Sequence, residues 1–227
     1  MLKLEISIKK ELSRIHDPDA EAKNMLYVSV RKEMLLRDKW TCQGCGMVSK
    51  GNMKSDPSSY EFSGFLEGHH INDNHGDNSI GNLATVCPFC HEIFHAGIAG
   101  KQNRCVPIVL PDMTHSSLNR LCHVLFCVIE RAQSSSDVRY ARQLYDALHA
   151  RNALLPESLQ LQSNLGSALA ALKRDQYRNR ESLLQGIRLL PLREAYSRHV
   201  NWYINNSWDS IGADWNGYKE AILHVKP

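Results

Sequence analysis

The sequence predicts an α+β protein, in which a small module of short strands and one helix is followed by an all-helical C-terminal half. Residues 40–81 are rich in Gly, Ser, Asn and Asp and show little helical periodicity, which is typical of short strands and loops. After Gly100, apolar residues recur at helical spacing. The first part therefore needs a source of stability besides a hydrophobic core, whereas the second can bury one.

The bulk composition is that of a globular protein. With 227 residues and 43% apolar composition, the chain is long enough for one sizeable domain or two small ones. Its longest apolar run, residues 124–129, falls far short of the ~18 residues that a membrane span needs. The N-terminus alternates apolar and polar residues and lacks the apolar core of a signal peptide. We therefore expect a soluble, cytoplasmic protein.

The net charge of +3 arises entirely in residues 105–227, which carry 14 basic and 11 acidic side chains. The excess is densest over residues 173–198, where seven basic residues accompany three acidic ones. A protein that grips ~6–10 phosphates needs a matching number of Lys and Arg contacts. This mild patch favours a solvated helical face over an extended nucleic-acid-binding surface.

Periodicity predicts the elements in order. Leu2, Leu4, Ile6 and Ile8 alternate with polar residues, as in a half-buried strand. Residues 20–38 predict a helix, and Thr114 is a suitable N-cap for another. Further amphipathic segments follow at 137–151, 157–172, 175–190 and 192–205, with breaks at Pro156 and Pro191. The tail, which holds Trp208, Trp215 and Tyr218, either packs on the helices or docks a partner.

Four of the seven cysteines are spaced as metal ligands. Cys42-Gln-Gly-Cys45 and Cys87-Pro-Phe-Cys90 are two Cys-x-x-Cys knuckles, and together they supply the tetrahedral Cys₄ shell of a structural zinc. Gly44 and Gly46 suit the tight first knuckle. Such a zinc is closed to water, so it stabilises the fold and takes no part in chemistry. The remaining cysteines, Cys105, Cys122 and Cys127, fit the helical core as small apolar residues.

Histidines lie between and beyond the knuckles. His91 and His95 are four apart, so on a helix their rings project from one face, as two ligands of one metal would. His69 and His70 are adjacent and point to opposite sides of a strand. One of them can complete the metal shell while the other acts as general base on a water. Asn82 is suited to brace the loop between two strands by side-chain to backbone hydrogen bonds.

This set of residues resembles the HNH (ββα-metal) nuclease family, and most closely its branch with four histidines. The resemblance implies a zinc-stapled HNH-type ββα-metal module spanning roughly Arg31 to Gly97. It implies His70 as general base, assisted by Asn82, and His69, His91 and His95 as ligands of a catalytic Mg²⁺, Mn²⁺, Ni²⁺ or Zn²⁺. His75 lies on the loop and is expected to be solvated.

A second resemblance covers about residues 30–205. The segments Leu110-Pro-Asp-Met-Thr114, Leu121-Cys-His-Val-Leu-Phe-Cys127 and Gly186-Ile-Arg-Leu-Leu-Pro191 are similar to the IcmJ (DotN) family of type IVB secretion and conjugation systems. It implies a zinc-binding adaptor on a coupling ATPase, together with other coupling-complex subunits. In that branch the nuclease histidines are replaced, whereas here all four are present.

Three functional hypotheses follow from the two resemblances. The chain is an adaptor subunit of a type IV coupling complex, an active metal-dependent DNA endonuclease, or a protein whose histidine site binds metal only to stiffen the fold. The adaptor hypothesis adds a peripheral position at the inner membrane, without insertion. The predicted organisation is an N-terminal strand and lead-in (1–30), the Cys₄-zinc HNH-like module (31–104), a helical domain (105–205) and a C-terminal tail (206–227).

Overall fold

The computed structural model describes residues 1–8, 20–49, 65–131 and 134–224. Parts of the predicted lead-in (9–19) and of the Gly- and Ser-rich stretch (50–64) lie outside the described residues. The strands are β1 (Glu67–His70), β2 (Leu83–Val86), β3 (Cys105–Val109) and β4 (Ile187–Pro191). The helices are α1 (Ala20–Arg37), α2 (Pro88–Phe94), α3 (Ala96–Lys101), α4 (His115–Arg131), α5 (Ser135–Ala150), α6 (Glu157–Gln160), α7 (Gln162–Ala171), α8 (Arg174–Arg178), α9 (Arg180–Leu183), α10 (Ser197–Asn206) and α11 (Trp208–His224).

The predicted ββα module is confirmed. Strands β1 and β2 pair antiparallel, with His69 opposite Ala84 and His70 opposite Leu83. Helix α2 follows at once, and Pro88 occupies its first turn, where the missing N–H costs no hydrogen bond. Helix α1 holds the hairpin from outside, because the Arg37 guanidinium donates to the Leu83 carbonyl at 2.6 Å. The hairpin and α2 thereby place the predicted site residues on three adjoining elements.

The helical character of the C-terminal half is also confirmed. Helix α4 is its centre, and α5, α10 and α11 pack against it. The Thr114 hydroxyl accepts the Ser117 N–H at 3.1 Å, so Thr114 is the predicted N-cap. Cys122 and Cys127 are buried in the core, as predicted. Burial raises the pKa of the Cys127 thiol to about 12, which leaves it a neutral apolar group.

One core connects the two halves. Met34 of α1, Leu83 of the hairpin and Phe89 of α2 belong to the same buried cluster as Leu118 and Phe126 of α4. The sequence predicts that the module lacks a hydrophobic core of its own and depends on a metal for its stability. It instead shares the core of the helices.

A two-stranded sheet lies within the helical half, where periodicity predicted a helix over 175–190. Helices α8 and α9 occupy the first part of that range, and Gly186 then takes a left-handed φ of 79° and ends the helical run. Strand β4 follows and pairs antiparallel with β3 over five residues. A short apolar run is compatible with either a helix or a strand. Here the pairing with β3 favours the strand.

The predicted N-terminal strand is wrong, since residues 1–8 belong to no sheet among the described residues. Ile6, Ser7 and Ile8 are all buried. The apolar–polar alternation therefore does not correspond to a strand with one solvent-exposed face. The Ser7 N–H donates to the Ile93 carbonyl at 3.0 Å, and the Ser7 carbonyl accepts the Ala96 N–H at 2.9 Å. The segment therefore bridges the end of α2 to the start of α3.

The C-terminal tail packs back on the helices. Ile211 and Trp215 of α11 are buried in the main core. The Arg120 guanidinium of α4 donates to the Asp214 carboxylate at 2.7 Å. Of the two alternatives for the tail, the packed one is what the structure shows. No helix in the described part of the chain is long and apolar enough to cross a membrane.

Candidate metal centres

The four knuckle cysteines converge on one buried point. Their sulfur atoms all lie within 4.8 Å of one another, and the Cys45 and Cys87 Sγ atoms are 3.7 Å apart. A tetrahedral zinc with bonds of about 2.3 Å requires sulfur atoms about 3.8 Å apart. The donor set and its spacing therefore fit a closed Cys₄ zinc site, as the sequence predicted.

Glycines shape the first knuckle. Gly46 has a φ of 73°, a left-handed conformation that glycine adopts without strain. A Cβ on Gly44 would lie 2.9 Å from the Cys90 sulfur, closer than such atoms can approach. Both glycines are thus needed for the turn to bring its sulfurs against the second knuckle.

The electrostatics of the cluster call for a cation. Burial raises the pKa of the Cys87 and Cys90 thiols well above the usual value. Burial also opposes ionisation of Cys42, but hydrogen bonds from the neighbouring thiols outweigh it and hold the Cys42 pKa low. Burial therefore opposes ionisation of Cys87 and Cys90, and a bound divalent ion would favour their thiolate forms.

Two residues outside the predicted site contact the sulfurs. The Asn119 Nδ2 donates to the Cys90 Sγ at 3.3 Å, and the His123 Nε2 lies 3.4 Å from the Cys87 Sγ. Both belong to α4, whose helical spacing the sequence predicted. Their four-residue spacing places both side chains on one face of the helix, but the sequence gives no signal that they contact the sulfurs.

A second cluster lies on the outer side of the hairpin and α2. One ring nitrogen each from His69, His91 and His95 lies within 4.8 Å of the others, so the structure brings together the three predicted ligands. The Nε2 atoms of His91 and His95 are 3.1 Å apart, close to the roughly 3.3 Å that two nitrogens keep on a tetrahedral zinc. This donor set fits a divalent metal.

Glu67 orients the second cluster. Its Oε2 lies 2.5 Å from the His91 Nδ1, so a carboxylate there fixes the proton on Nδ1 and leaves the Nε2 lone pair for a metal. Glu67 and His69 are two apart on β1 and share a face. That spacing was the sequence signal for Glu67, which the motif search missed.

The surroundings of His69 favour the neutral imidazole that a metal ligand requires. Its ring stacks on Phe94 with centroids 3.9 Å apart. Burial, followed by the nearby His91 and His95, lowers the pKa of His69 to about 3. At neutral pH the imidazole is uncharged and free of the proton that would compete with a metal.

A pocket of about 350 Å³ opens beside this cluster. His75, His91, His95 and Arg104 are among its lining residues. Arg104 forms an ion pair with the largely buried Glu92. In contrast to the cysteine site, the histidine site therefore leaves room for a molecule next to the metal ligands.

His70 lies on the opposite face of β1. It is 4% exposed, and its Nε2 is 2.9 Å from the Asn78 Oδ1. Its ring stacks against His75 at 4.5 Å, with Tyr27 at 6.0 Å. Among the described residues, His75 lines the pocket and His70 does not. The loop histidine that was expected to be solvated therefore stands between His70 and the pocket.

Asn82 braces the loop between the two strands. Its Oδ1 accepts the Asn72 N–H at 3.0 Å, and its Nδ2 donates to the Asp77 carbonyl at 2.8 Å. These side-chain to backbone bonds tie both ends of the 72–77 turn to the start of β2. The turn carries His75, so Asn82 also positions one wall of the pocket.

Basic residues of 173–198 are largely engaged within the fold. Arg188 donates to the Met113 carbonyl at 2.6 Å, and Arg193 pairs with Glu130. Arg198 lies over the Phe65 ring, 5.6 Å from its centroid, near the start of β1. The patch therefore offers few cations beside the histidine site.

Comparisons with known proteins agree with both resemblances. Residues 42–97 match the HNH endonuclease family. The chain is also 28% identical, over 195 residues, to the type 4 apparatus protein DotN of Legionella pneumophila subsp. pneumophila strain Philadelphia 1. The similarity covers 82% of each chain, so it takes in the helical half as well as the module. The resemblance of the sequence to DotN and the presence of an HNH module are confirmed.

Proposed function

We propose that this DotN homologue is an adaptor subunit of a type IV coupling complex, in which it docks on the coupling ATPase. The supporting observation is the extent of the similarity, which spans the helical half as well as the metal module. A module borrowed for nuclease activity alone would not bring a matching helical half with it. This role places the chain on the cytoplasmic side of the inner membrane, held there by its partners.

The charge distribution supports a protein partner. The module itself is neutral over residues 31–104, with eight basic and eight acidic side chains. Several arginines of the basic stretch are tied to carbonyls and carboxylates of the same chain. An extended grip on a nucleic-acid backbone requires more unengaged cations than this surface provides.

Affinity purification tests the proposal directly. The tagged chain, expressed at its native level in its host, should recover the coupling ATPase in a fixed ratio, as measured by quantitative mass spectrometry. His91→Ala should recover the same amount, because the adaptor role does not use the histidine site. Recovery of the chain without the ATPase, from cells that contain both, would contradict the adaptor function.

A second candidate function is metal-dependent hydrolysis of DNA phosphodiester bonds. The observation that favours it is the open triad of His69, His91 and His95 beside a pocket. A divalent metal bound there would stabilise negative charge on the scissile phosphate and on the leaving oxygen. Arg104, at the pocket wall, is placed to bind a phosphate oxygen.

Two neighbouring histidines are candidates for the general base of such a nuclease. We propose His70 for this role, with Asn82 holding the loop that surrounds it. His75 contacts His70 and lines the pocket, so the proton can also pass through His75. The two routes make different predictions for the two alanine variants.

Plasmid nicking distinguishes these routes. With Mg²⁺, Mn²⁺ or Ni²⁺, the purified chain should relax supercoiled DNA, and His70→Ala should abolish the cutting. If His75 is the pocket-facing base, His75→Ala should have the same effect. His149→Ala, on the exposed face of α5, is the control. An absence of cleavage with all three metals would reject the nuclease, and metal binding without cleavage would favour a triad that only stiffens the fold.

A further inference from the structure

Helix α4 directs two buried polar side chains at the cysteine cluster from outside the module. Asn119 and His123 are four residues apart, so their side chains leave the same face of the helix. Both are buried, at 0% and 2% exposure. Asn119 reaches the Cys90 sulfur at 3.3 Å, and His123 reaches the Cys87 sulfur at 3.4 Å. One side-chain nitrogen thus lies within hydrogen-bond distance of each sulfur of the second knuckle.

The His123 ring packs against two aromatic side chains. It stacks on Phe89 with centroids 4.0 Å apart and planes 7° from parallel. Phe89 is itself a residue of the second knuckle, between the two cysteines. Tyr203 of α10 makes an edge-on contact with the His123 ring, with centroids 5.0 Å apart. The ring therefore cannot turn its Nε2 away from the sulfur without displacing two aromatic side chains.

The first knuckle relies on backbone donors instead. The Cys42 sulfur accepts the Cys45 N–H at 3.5 Å and the Cys87 N–H at 3.2 Å. A zinc with four thiolates carries a net charge of −2, and hydrogen bonds to sulfur spread that charge. The Cys42 sulfur of the first knuckle is thus bonded by backbone N–H groups of both knuckles, whereas the sulfurs of the second knuckle are approached by side chains of α4.

We propose that Asn119 and His123 are outer-sphere donors to the zinc thiolates, so that the module retains its zinc only with the helical half in place. The proposal stands on the Cys₄ zinc and is independent of both proposed functions. It assigns α4 a role beyond packing. In this role the helix contributes hydrogen bonds to the zinc thiolates in addition to the core that it shares with the module.

Zinc release from the full-length holoprotein tests this role. Asn119→Leu and His123→Phe keep the volume of the side chains and remove the donors. Loss of such outer-sphere partners typically weakens metal binding by about 10- to 100-fold. We expect release to excess chelator to accelerate by that factor in each variant. Cobalt-substituted protein should show a shifted sulfur-to-cobalt charge-transfer band, which a purely structural change elsewhere would leave in place.

His115→Phe is the matched control. His115 is also a buried histidine of α4, and its Nε2 accepts the Leu189 N–H at 3.2 Å, away from the cysteines. This variant should lose stability yet release zinc at the wild-type rate, with an unchanged cobalt spectrum. His123→Gln, which keeps an N–H donor, should restore slow release, and it serves as the test if His123→Phe fails to fold. Wild-type release and spectra in both donor variants would overturn the proposal, as would equal acceleration in His115→Phe.

Discussion

Gly68 lies where strand β1 passes closest to helix α1, and substitution by alanine should separate the two. A Cβ at this position would lie 2.6 Å from the Tyr27 hydroxyl oxygen and 3.3 Å from the Met34 sulfur. The Gly68 N–H donates to that same hydroxyl at 3.1 Å. Glycine at position 68 therefore allows a favourable contact with the Tyr27 hydroxyl, whereas the methyl group of alanine would clash with it.

The cost can be worked from these distances. Forcing one methyl group into a packed site costs about 1–3 kcal/mol. Alanine also restricts the unfolded chain and returns about 0.4–1 kcal/mol, since the backbone of Gly68 is not left-handed. Gly68→Ala should therefore lower the free energy of unfolding by about 1–2 kcal/mol, measured by urea titration of the zinc-loaded protein.

A double-mutant cycle identifies the contact responsible. Tyr27→Phe removes the hydroxyl and its bond to Gly68, which costs about 1 kcal/mol. In the double variant the clash with that oxygen is gone, so the two losses should not add. Gly81→Ala is the matched control, since a Cβ there would meet nothing within 4 Å. It should leave stability unchanged or raise it slightly.

The same substitution should affect the histidine site. Gly68 lies between Glu67 and His69, so a shift of β1 moves both relative to His91 on α2. Divalent metal binding to the triad should weaken in Gly68→Ala and not in Gly81→Ala. Strict additivity in the double variant, or equal stability losses at the two glycines, would refute the assigned contact.

Three further predictions concern zinc, pH and the loop. Cys42→Ser should abolish the roughly one tightly held zinc per chain, measured by elemental analysis, and with it the cooperative unfolding transition; a stable metal-free fold would contradict the Cys₄ assignment. Burial, reinforced by Arg188, lowers the pKa of His115 to about 3. The unfolded chain takes up a proton below about pH 6.5 that the folded chain does not, so stability is full above this pH and falls by about 1.3 kcal/mol between pH 7 and 5.5. His115→Gln should flatten the pH profile of the urea midpoint by that amount, and an unaltered slope would disprove it. Asn82→Ala removes two hydrogen bonds and should cost about 1–3 kcal/mol while raising proton exchange of the 72–77 amides; unchanged exchange would show that the loop holds itself.

The two clusters that could hold a metal ion were predicted because the spacing within each pair of residues is local. Each cysteine pair is a single turn, and the His91–His95 pair is one turn of a helix. These patterns are set by backbone geometry within a few residues. The sequence could not show which side chains of β1 line the pocket. That depends on the 72–77 loop, which stacks His75 against His70.

The errors share a different cause. The apolar–polar alternation at the N-terminus predicted a strand with one solvent-exposed face. Residues 6–8 are instead all buried, and Ser7 bonds to residues about 90 positions later in the chain. Strand β4 lies in a range whose apolar spacing also suits a helix, and β3, some 80 residues earlier, decides its conformation. Asn119 and His123 likewise reach sulfurs about 30 residues away. Contacts of this range leave no periodic trace in a single sequence.

The arrangement of the two metal sites determines which variants can separate the proposed functions. Helix α2 begins at the second knuckle, carries His91 and ends just before His95, so a zinc held by the knuckles would fix the start of this helix. Loss of any zinc cysteine should therefore remove both the adaptor surface and the triad, and cannot tell them apart. His91 is partly exposed and faces the pocket, so His91→Ala leaves the zinc shell and the shared core untouched. A chain that still binds its ATPase with His91 replaced, and that cuts no DNA with His91 present, uses the module as a scaffold.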